Sequence, residues 1–409
     1  MAHEDKTGPG TDPPEILVAL SSDASVQCPI RQQRVAYPAT AMSDQKLRWG
    51  ILGTAQIARK NWRAIQNSGN GTVAAVASRD LERSRRFIQE CQAEAPVENP
   101  PQAFGSYEDL LASNAVQAVY IPLPTGLRRE WVLRAATAGK HVVCEKPCAV
   151  NAAELRQMLE VCQRHRVQFM DGVMFMHSLR LARMREVLEQ EGTVGPIRRM
   201  TSAFSFCAPP EFFASNIRAQ SALEPLGCLG DLGWYCIRFS LWAMGWKLPL
   251  EVTGRLLSEF THEGSASPVP TEFAGELVFP DNVSAGFYCS FRTEIQQWAI
   301  VSGARGYLRV EDFVLPFAGE EARFEFRKAE FHTQGCDFRL EPNAHPFTVA
   351  EPSHGRPDSQ ETNLFRNFSA QVLSNRLEPF WPQIALKTQT VMDACLASAR
   401  QDGRGVALP

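Results

Sequence analysis

Between residues 47 and 175 the chain alternates short apolar runs with amphipathic stretches, and no other feature constrains the fold as strongly. An apolar run bounded by turn residues reads as a buried strand, whereas apolar residues spaced three and four apart read as a helix face. Strict alternation of the two is the signature of βαβ units around a parallel sheet. Strands are expected at 47–52, 72–77, 116–121 and 141–145. Helices are expected at 56–66, 81–92, 129–138 (stopped by Gly139) and 152–165. The apolar run 167–175 then closes an open α/β domain.

Beyond about Arg198 the rhythm changes to longer β-rich segments at 199–206, 251–260, 272–279, 283–291, 298–310 and 323–330. Short connections such as Pro280-Asp281-Asn282 and Gly303-Ala304-Arg305-Gly306 imply antiparallel neighbours. One helix, 232–243, interrupts these strands, and two more, 360–373 and 381–400, end the chain. With 409 residues, the protein exceeds what one hydrophobic core usually holds, so two packed domains are expected. Residues 1–46 are rich in Pro, Gly, Ser, Asp and Gln and keep no apolar period, which reads as a disordered extension without the pattern of a secretory signal. Met42 is a candidate start, because the ordered pattern begins a few residues after it.

Charge narrows the partners. Lys and Arg total 42 against 45 Asp and Glu, a formal net charge of -3, which offers no field for nucleic acid or an anionic membrane. No apolar stretch is long enough to span a bilayer, so a small-molecule partner is the default. Eleven scattered cysteines with apolar neighbours suggest free thiols in a reducing, cytoplasmic setting. Cys144 and Cys148 are four apart but lack a second Cys or His pair, so neither zinc nor any other metal is expected.

Directly after the first strand comes Gly53-Thr54-Ala55-Gln56-Ile57-Ala58, the strand-to-helix position of a dinucleotide fingerprint with alanine at its second and third glycine places. Gly53 permits the tight turn, and the small Ala55 and Ala58 let backbone amides and helix approach a pyrophosphate. By itself the motif is also compatible with a βα turn that binds nothing. At the end of the second strand stand Ser78-Arg79, a hydroxyl and a guanidinium suited to a ribose 2′-phosphate and hence to NADP. If Asp80 holds the ribose instead, NAD is favoured.

Glu145-Lys146-Pro147 puts a lysine at the carboxyl end of a parallel strand, where open α/β sheets bind ligands. Together with Trp49-Gly50-Ile51-Leu52-Gly53-Thr54-Ala55, Gly139-Lys140-His141 and Gly230-Asp231-Leu232-Gly233-Trp234-Tyr235, it resembles the glucose-fructose oxidoreductase and inositol dehydrogenase family, Gfo/Idh/MocA. The last stretch looks like the branch of dihydrodiol and xylose-type dehydrogenases, which uses tyrosine where inositol dehydrogenases use histidine. The resemblance covers about residue 47 to the C-terminus.

That resemblance implies Tyr235 as proton donor or acceptor and Lys146 as its electrostatic partner; Asp231, the third catalytic residue expected, lies near a helix N-terminus, where it should stay ionised and could orient a sugar hydroxyl or Lys146. Four-residue spacing on a helix sets Asp231 and Tyr235 on one face. Hydride transfer leaves alkoxide character on the substrate oxygen, which needs a proton and a nearby cation. An adjacent ammonium would also lower the tyrosine pKa toward neutrality. Cofactor contacts are expected from Gly53, Thr54, Ala55, Gln56, Ile57, Ser78, Arg79, Pro122, Leu123, Glu145 and Lys146, and substrate contacts from Asn216, Arg218 and Trp234. Asn216 and Arg218 read equally well as a surface loop. Relatives often have Asn and His where Thr125 and Arg128 stand, which weakens the transfer of cofactor contacts there. His177, alone in an apolar run, reads as structural.

The expected fold is thus α/β: an N-terminal Rossmann dinucleotide-binding domain at 47–170, then a C-terminal α/β domain with a largely antiparallel open sheet at 171–409. The terminal helix is expected to return to the first domain. The expected activity is NADP(H)-dependent hydride transfer at a hydroxyl or carbonyl carbon of a sugar, cyclic polyol or dihydrodiol. A hydrolase or lyase of the same fold using transient oxidation, or a non-enzymatic NAD(P) sensor, are the alternatives. A homo-oligomer, dimer or tetramer, is implied by the resemblance alone.

Overall fold

The computed structural model describes residues 45–408, so nearly all of the extension expected at 1–46, with Met42, lies outside the described residues. The first layer is built from β1 (Leu47–Leu52), α1 (Gln56–Asn67), β2 (Gly71–Ala77), α2 (Leu81–Glu94), β3 (Gln102–Phe104), α3 (Tyr107–Ala112) and β4 (Ala118–Ile121). It continues through α4 (Thr125–Thr137), β5 (His141–Cys144), α5 (Ala152–Arg164) and β6 (Phe169–Asp171). The strands form one parallel sheet in the order β3-β2-β1-β4-β5-β6. Its chain reversal lies between β1 and β4, where such sheets open a crevice at their carboxyl edge.

Both faces of this sheet are covered, so its strands are apolar on both sides. Leu47, Trp49 and Ile51 of β1 point to one face and meet Trp62 and Ile65 of α1. Leu52 points to the other. Gly50 stands where any Cβ would lie 2.7 Å from Leu110 of α3, so a larger residue would push that helix off. The short β3 and α3 carry no period long enough to be read from sequence.

A helix α6 (Leu179–Glu189) leads into β7 (Ile197–Ser205), α7 (Pro210–Ser215), a π turn at Leu229–Gly233 and α8 (Trp234–Ala243). Then follow β8 (Glu251–Phe260), β9 (Val269–Val278), β10 (Ser284–Ser290), β11 (Ala299–Gly303), β12 (Tyr307–Val310), β13 (Glu321–Gln334) and β14 (Asp337–Ala350). α9 (Gln360–Leu373), α10 (Phe380–Ala399) and β15 (Val406–Ala407) close the chain. These strands form a nine-stranded sheet, β14-β13-β12-β11-β7-β10-β9-β8-β15, antiparallel except for the β7–β10 pair.

Three expectations need correction. The segment 298–310 is two strands, because Gly303 to Gly306 turns the chain back on itself. The strand expected at 323–330 runs on to Gln334 and pairs throughout with β14, whose Pro342 and Pro346 hide its period. The helix expected at 232–243 begins as a π turn, and α7 also interrupts the strands. α9 packs beside β1, where Trp49 meets Phe365 edge-on and Phe368 at a tilt and donates to the Ser369 hydroxyl at 3.2 Å. α8 is buried on every side, and its Arg238 is paired with Asp171 at the end of β6 at 2.5 Å.

Candidate active site

The carboxyl edge of the parallel sheet opens into a cavity of about 750 Å³. Its walls come from the segments following β1, β4, β5 and β6, from the π turn and α8, and from α7 and α9. Of the residues expected in a site, Ala55, Gln56, Ile57, Pro122, Leu123, Glu145, Lys146, Asn216, Arg218, Asp231 and Tyr235 line it.

The cationic centre is built from two segments that meet through a glycine. Gly230 lies so close to Pro147 that an added Cβ would be 3.1 Å from the proline ring. That approach sets Asp231 against Lys146, whose ammonium donates to the Asp231 carboxylate at 2.8 Å and to its backbone carbonyl at 2.7 Å. Arg218 donates to the other carboxylate oxygen at 2.8 Å. Burial opposes ionisation of Asp231, but the two cations beside it outweigh that and hold its carboxyl well below the usual carboxylate range.

The Lys146 ammonium also lies over the Tyr235 ring, 4.8 Å from its centre. The phenol itself is buried, and its only hydrogen bond among the described residues goes to the Met174 sulfur at 3.7 Å. Burial, with the Glu145 and Asp231 carboxylates, pushes the phenol well above the usual tyrosine range, against the expected lowering. The reason is geometric: the ammonium is spent on Asp231 and faces the ring rather than the phenol oxygen. A weak sulfur acceptor leaves that hydroxyl ready for a better oxygen.

The nucleotide end fits a dinucleotide. Gly53 has φ +112°, a conformation L side chains rarely adopt, and a Cβ there would press on Leu123 at 3.0 Å. α1 begins at Gln56 with no side-chain cap and no acidic residue in its first turn, so its free amides point their positive end at the cavity. Thr54 accepts from Arg83 at 2.7 Å. Burial raises the Tyr107 hydroxyl, and the charges of Arg79 and Arg83 act against that rise.

Sequence reading missed Arg83, which stands in the first turn of α2 just after Arg79 and the Asp80 cap. Ser78 behaves differently from expectation: it is 3% exposed, and its hydroxyl bonds the Asp80 carbonyl and Ser84, closing the turn instead of facing a ligand. Asp80 caps α2 by accepting from the Glu82 amide at 2.9 Å.

Trp234 also departs from expectation. It is fully buried in the core beneath Arg238, away from the cavity, because one step along α8 rotates it off the face that carries Tyr235. Also missed were Asn61 and Tyr120, which form a chain into the site: Asn61 donates to the Tyr120 hydroxyl at 2.6 Å, and Tyr120 to Glu145 at 2.6 Å. Tyr120 sits inside an apolar strand and Asn61 inside a helix, so no local pattern marks them. Arg128 bonds the carbonyls of Leu123 and Pro147 and the Thr125 hydroxyl, tying two cavity loops together. His177 stacks on Trp381 at 4.6 Å, as a structural histidine would.

A Rossmann sheet joined to a mostly antiparallel second sheet, with a single-glycine turn and an uncapped helix at the cavity, defines a two-domain dinucleotide-binding oxidoreductase. The chain belongs to the Gfo/Idh/MocA family. Residues 47–173 match the family's NAD-binding Rossmann fold and residues 181–309 its C-terminal domain. Trans-1,2-dihydrobenzene-1,2-diol dehydrogenase from Mus musculus is 32% identical over 275 residues, 66% of this chain and 76% of that protein. D-xylose 1-dehydrogenase (NADP(+)) 2 from Haloferax volcanii is 33% identical over 260 residues, 64% and 74% of the two chains. Among solved structures, aldose-aldose oxidoreductase from Caulobacter crescentus matches with a TM-score of 0.72 at 21% identity, covering 89% of this chain and 100% of that one. A 3-ketoreductase from Actinomadura kijaniata, in complex with NADP and TDP-benzene, has a TM-score of 0.71 at 24% identity, covering 87% and 98%. At those identities the structures speak for the fold. Among the described residues no helix is long and apolar enough to cross a membrane.

Proposed function

We propose that the protein is an NADP(H)-dependent oxidoreductase that moves a hydride to or from a hydroxyl or carbonyl carbon of a sugar, cyclic polyol or dihydrodiol, with Tyr235 as the general acid or base. The observation that carries this reading is the convergence of Lys146, Asp231 and Tyr235 in one cavity with the uncapped N-terminus of α1. The nicotinamide, when bound, supplies or takes the hydride. Gly53, Thr54 and the first amides of α1 hold the pyrophosphate, and Pro122, Leu123 and Glu145 bound the inner end of the dinucleotide. Arg79 and Arg83 take the 2′-phosphate, the basis for preferring NADP over NAD. The xylose dehydrogenase relative carries NADP in its name, in keeping with that choice.

Lys146 stabilises negative charge on the substrate oxygen, and Asp231 fixes the ammonium where that charge develops. A phenol held above its ordinary range stays protonated at neutral pH, the state that donates to a carbonyl under reduction. Residues 47–170 then serve the nucleotide, and residues 171–409 serve the substrate and pairing with further copies. A homo-oligomer in the cytoplasm belongs to the same reading. The test is a panel of aldoses, polyols and dihydrodiols with NADP and NAD, in both directions. Tyr235→Phe that left turnover of the best substrate unchanged would remove the proton-transfer role.

A further inference from the structure

Beyond the Tyr235 ring the cavity changes character. Lys146, Arg218 and Asp231 form one polar cluster of its lining, whereas Phe204, Phe206, Phe212, Ile217, Ile295 and Leu315 give it an apolar stretch. Phe204 of β7 meets the Tyr235 ring edge-on at 5.7 Å, and Phe206, just past the end of that strand, meets Phe212 of α7 at 5.6 Å. Ile217, Ile295 and Leu315, from three separate segments, also line the cavity while 38%, 61% and 39% exposed. Single exposed apolar side chains are ordinary, but three converging on one cavity mark a surface meant to be covered.

A free aldose is a poor cover for that wall. It carries a hydroxyl on nearly every ring carbon, and a hydroxyl pressed against apolar side chains loses water without gaining a partner. We propose that the substrate is a glycoside with an aryl or short alkyl aglycone, its ring hydroxyls at the Lys146–Asp231–Tyr235 end and its aglycone between Phe206, Phe212, Ile217 and Ile295. This rests on the hydride-transfer reading above and narrows its substrate. The glycosidic bond blocks the anomeric carbon, so the reacting carbon is a secondary ring position. In oxidation that carbon gives a hydride to the oxidised nicotinamide and its oxygen gives a proton to the ionised Tyr235 oxygen, leaving a ring ketone.

The experiment compares D-glucose and D-xylose with their phenyl and 4-nitrophenyl β-glycosides, using the full chain and NADP at alkaline pH. The expected kcat/KM is at least about tenfold higher for each glycoside than for its parent sugar, chiefly through KM. That ratio falls toward one in Ile295→Ser, a change at the solvent rim, and in Phe212→Ala. Equal values for sugar and glycoside, or a ratio that both variants leave in place, overturn the proposal. If no compound is oxidised, calorimetric titration of the NADP-loaded protein decides. Tighter binding of the phenyl glycoside than of glucose keeps the aglycone wall and removes the hydride-transfer reading, and equal or absent binding removes the wall.

Discussion

The two ends of the cavity handle charge in opposite ways. At the reacting end Lys146 and Arg218 both close on Asp231, so the cations meet an anion of the protein's own. Where α1 begins, its first turn has no carboxylate, and beyond the cavity lining neither Arg79 nor Arg83 is ion-paired among the described residues, Arg83 donating instead to the Thr54 hydroxyl. On the proposed reading, an end whose cations are held by a carboxylate of the protein suits a neutral, hydroxylated substrate, and an end whose positive charge has no carboxylate partner suits a phosphate. On that reading the chain separates anchoring from chemistry, and each end should break without the other.

The largest effect is expected at the reacting end. Tyr235→Phe removes the proton and should lower kcat by about 10²- to 10⁴-fold, the usual range for a general acid or base. Affinity for NADPH, read by fluorescence titration, should stay within a few-fold of wild type. A loss of affinity matching the loss of turnover would mean that the two ends are not separable. Lys146→Met should cost kcat roughly 10²- to 10³-fold, the range for removing a fixed group that stabilises developing negative charge. Arg218 still holds Asp231 in that variant, which limits the damage to folding.

The state of the phenol sharpens the comparison through pH. Because burial holds Tyr235 protonated, carbonyl reduction should be level across the neutral range, and alcohol oxidation should climb as pH rises toward ionisation of the phenol. Initial rates in both directions between about pH 6 and 10 check this. An oxidation rate already level at neutral pH would show that the bound complex lowers the phenol, as the lysine was first expected to do. At the other end, Arg79→Ala combined with Arg83→Ala should weaken NADP about ten- to a hundredfold, the worth of a lost charge-assisted contact, while NAD changes little. Equal losses for both nucleotides would place the arginines away from the 2′-phosphate.

How legible these ends were in the sequence depended on the range of the signal. Leu47–Leu52 and Gln360–Leu373 were readable to the residue because a strand's apolar run and a helix's period are local. Lys146, Asp231 and Tyr235, which share one cavity, could be singled out because the strand end and the glycine-flanked helix start are local motifs. The Asn61–Tyr120–Glu145 chain was not, since its members are far apart in sequence and each passes for an ordinary element residue. Ser78 and Trp234 failed for another reason: the residue type was right for a ligand contact, but hydroxyl direction and helix rotation are three-dimensional facts. Arg83 marks the middle case, since reading four residues past Arg79 into the first turn of α2 reaches it.

The smallest effect is expected outside both ends, at His177, and it tests whether stability follows pH through groups that take no part in chemistry. Burial first, then the charge of Arg238, lowers its pKa to about 3. The unfolded chain takes up a proton near the ordinary histidine value of about 6.5, while the folded chain stays neutral there. The stabilisation is thus whole above that value and is lost as pH falls from it toward 3. His141, lowered to about 4 by burial, acts with the same sign. Each can contribute a slope of at most about 1.4 kcal/mol per pH unit. His177→Phe keeps a ring against Trp381 but gives up the contact with Asn367 at 3.1 Å. It should lower stability at neutral pH by about 1 kcal/mol, the net worth of one hydrogen bond, and make the loss between pH 6.5 and 5 shallower by roughly half. Urea unfolding at several pH values measures both. An unchanged slope would mean that His177 is protonated in the folded protein, and that the core beneath the reacting end is wetter than its packing implies.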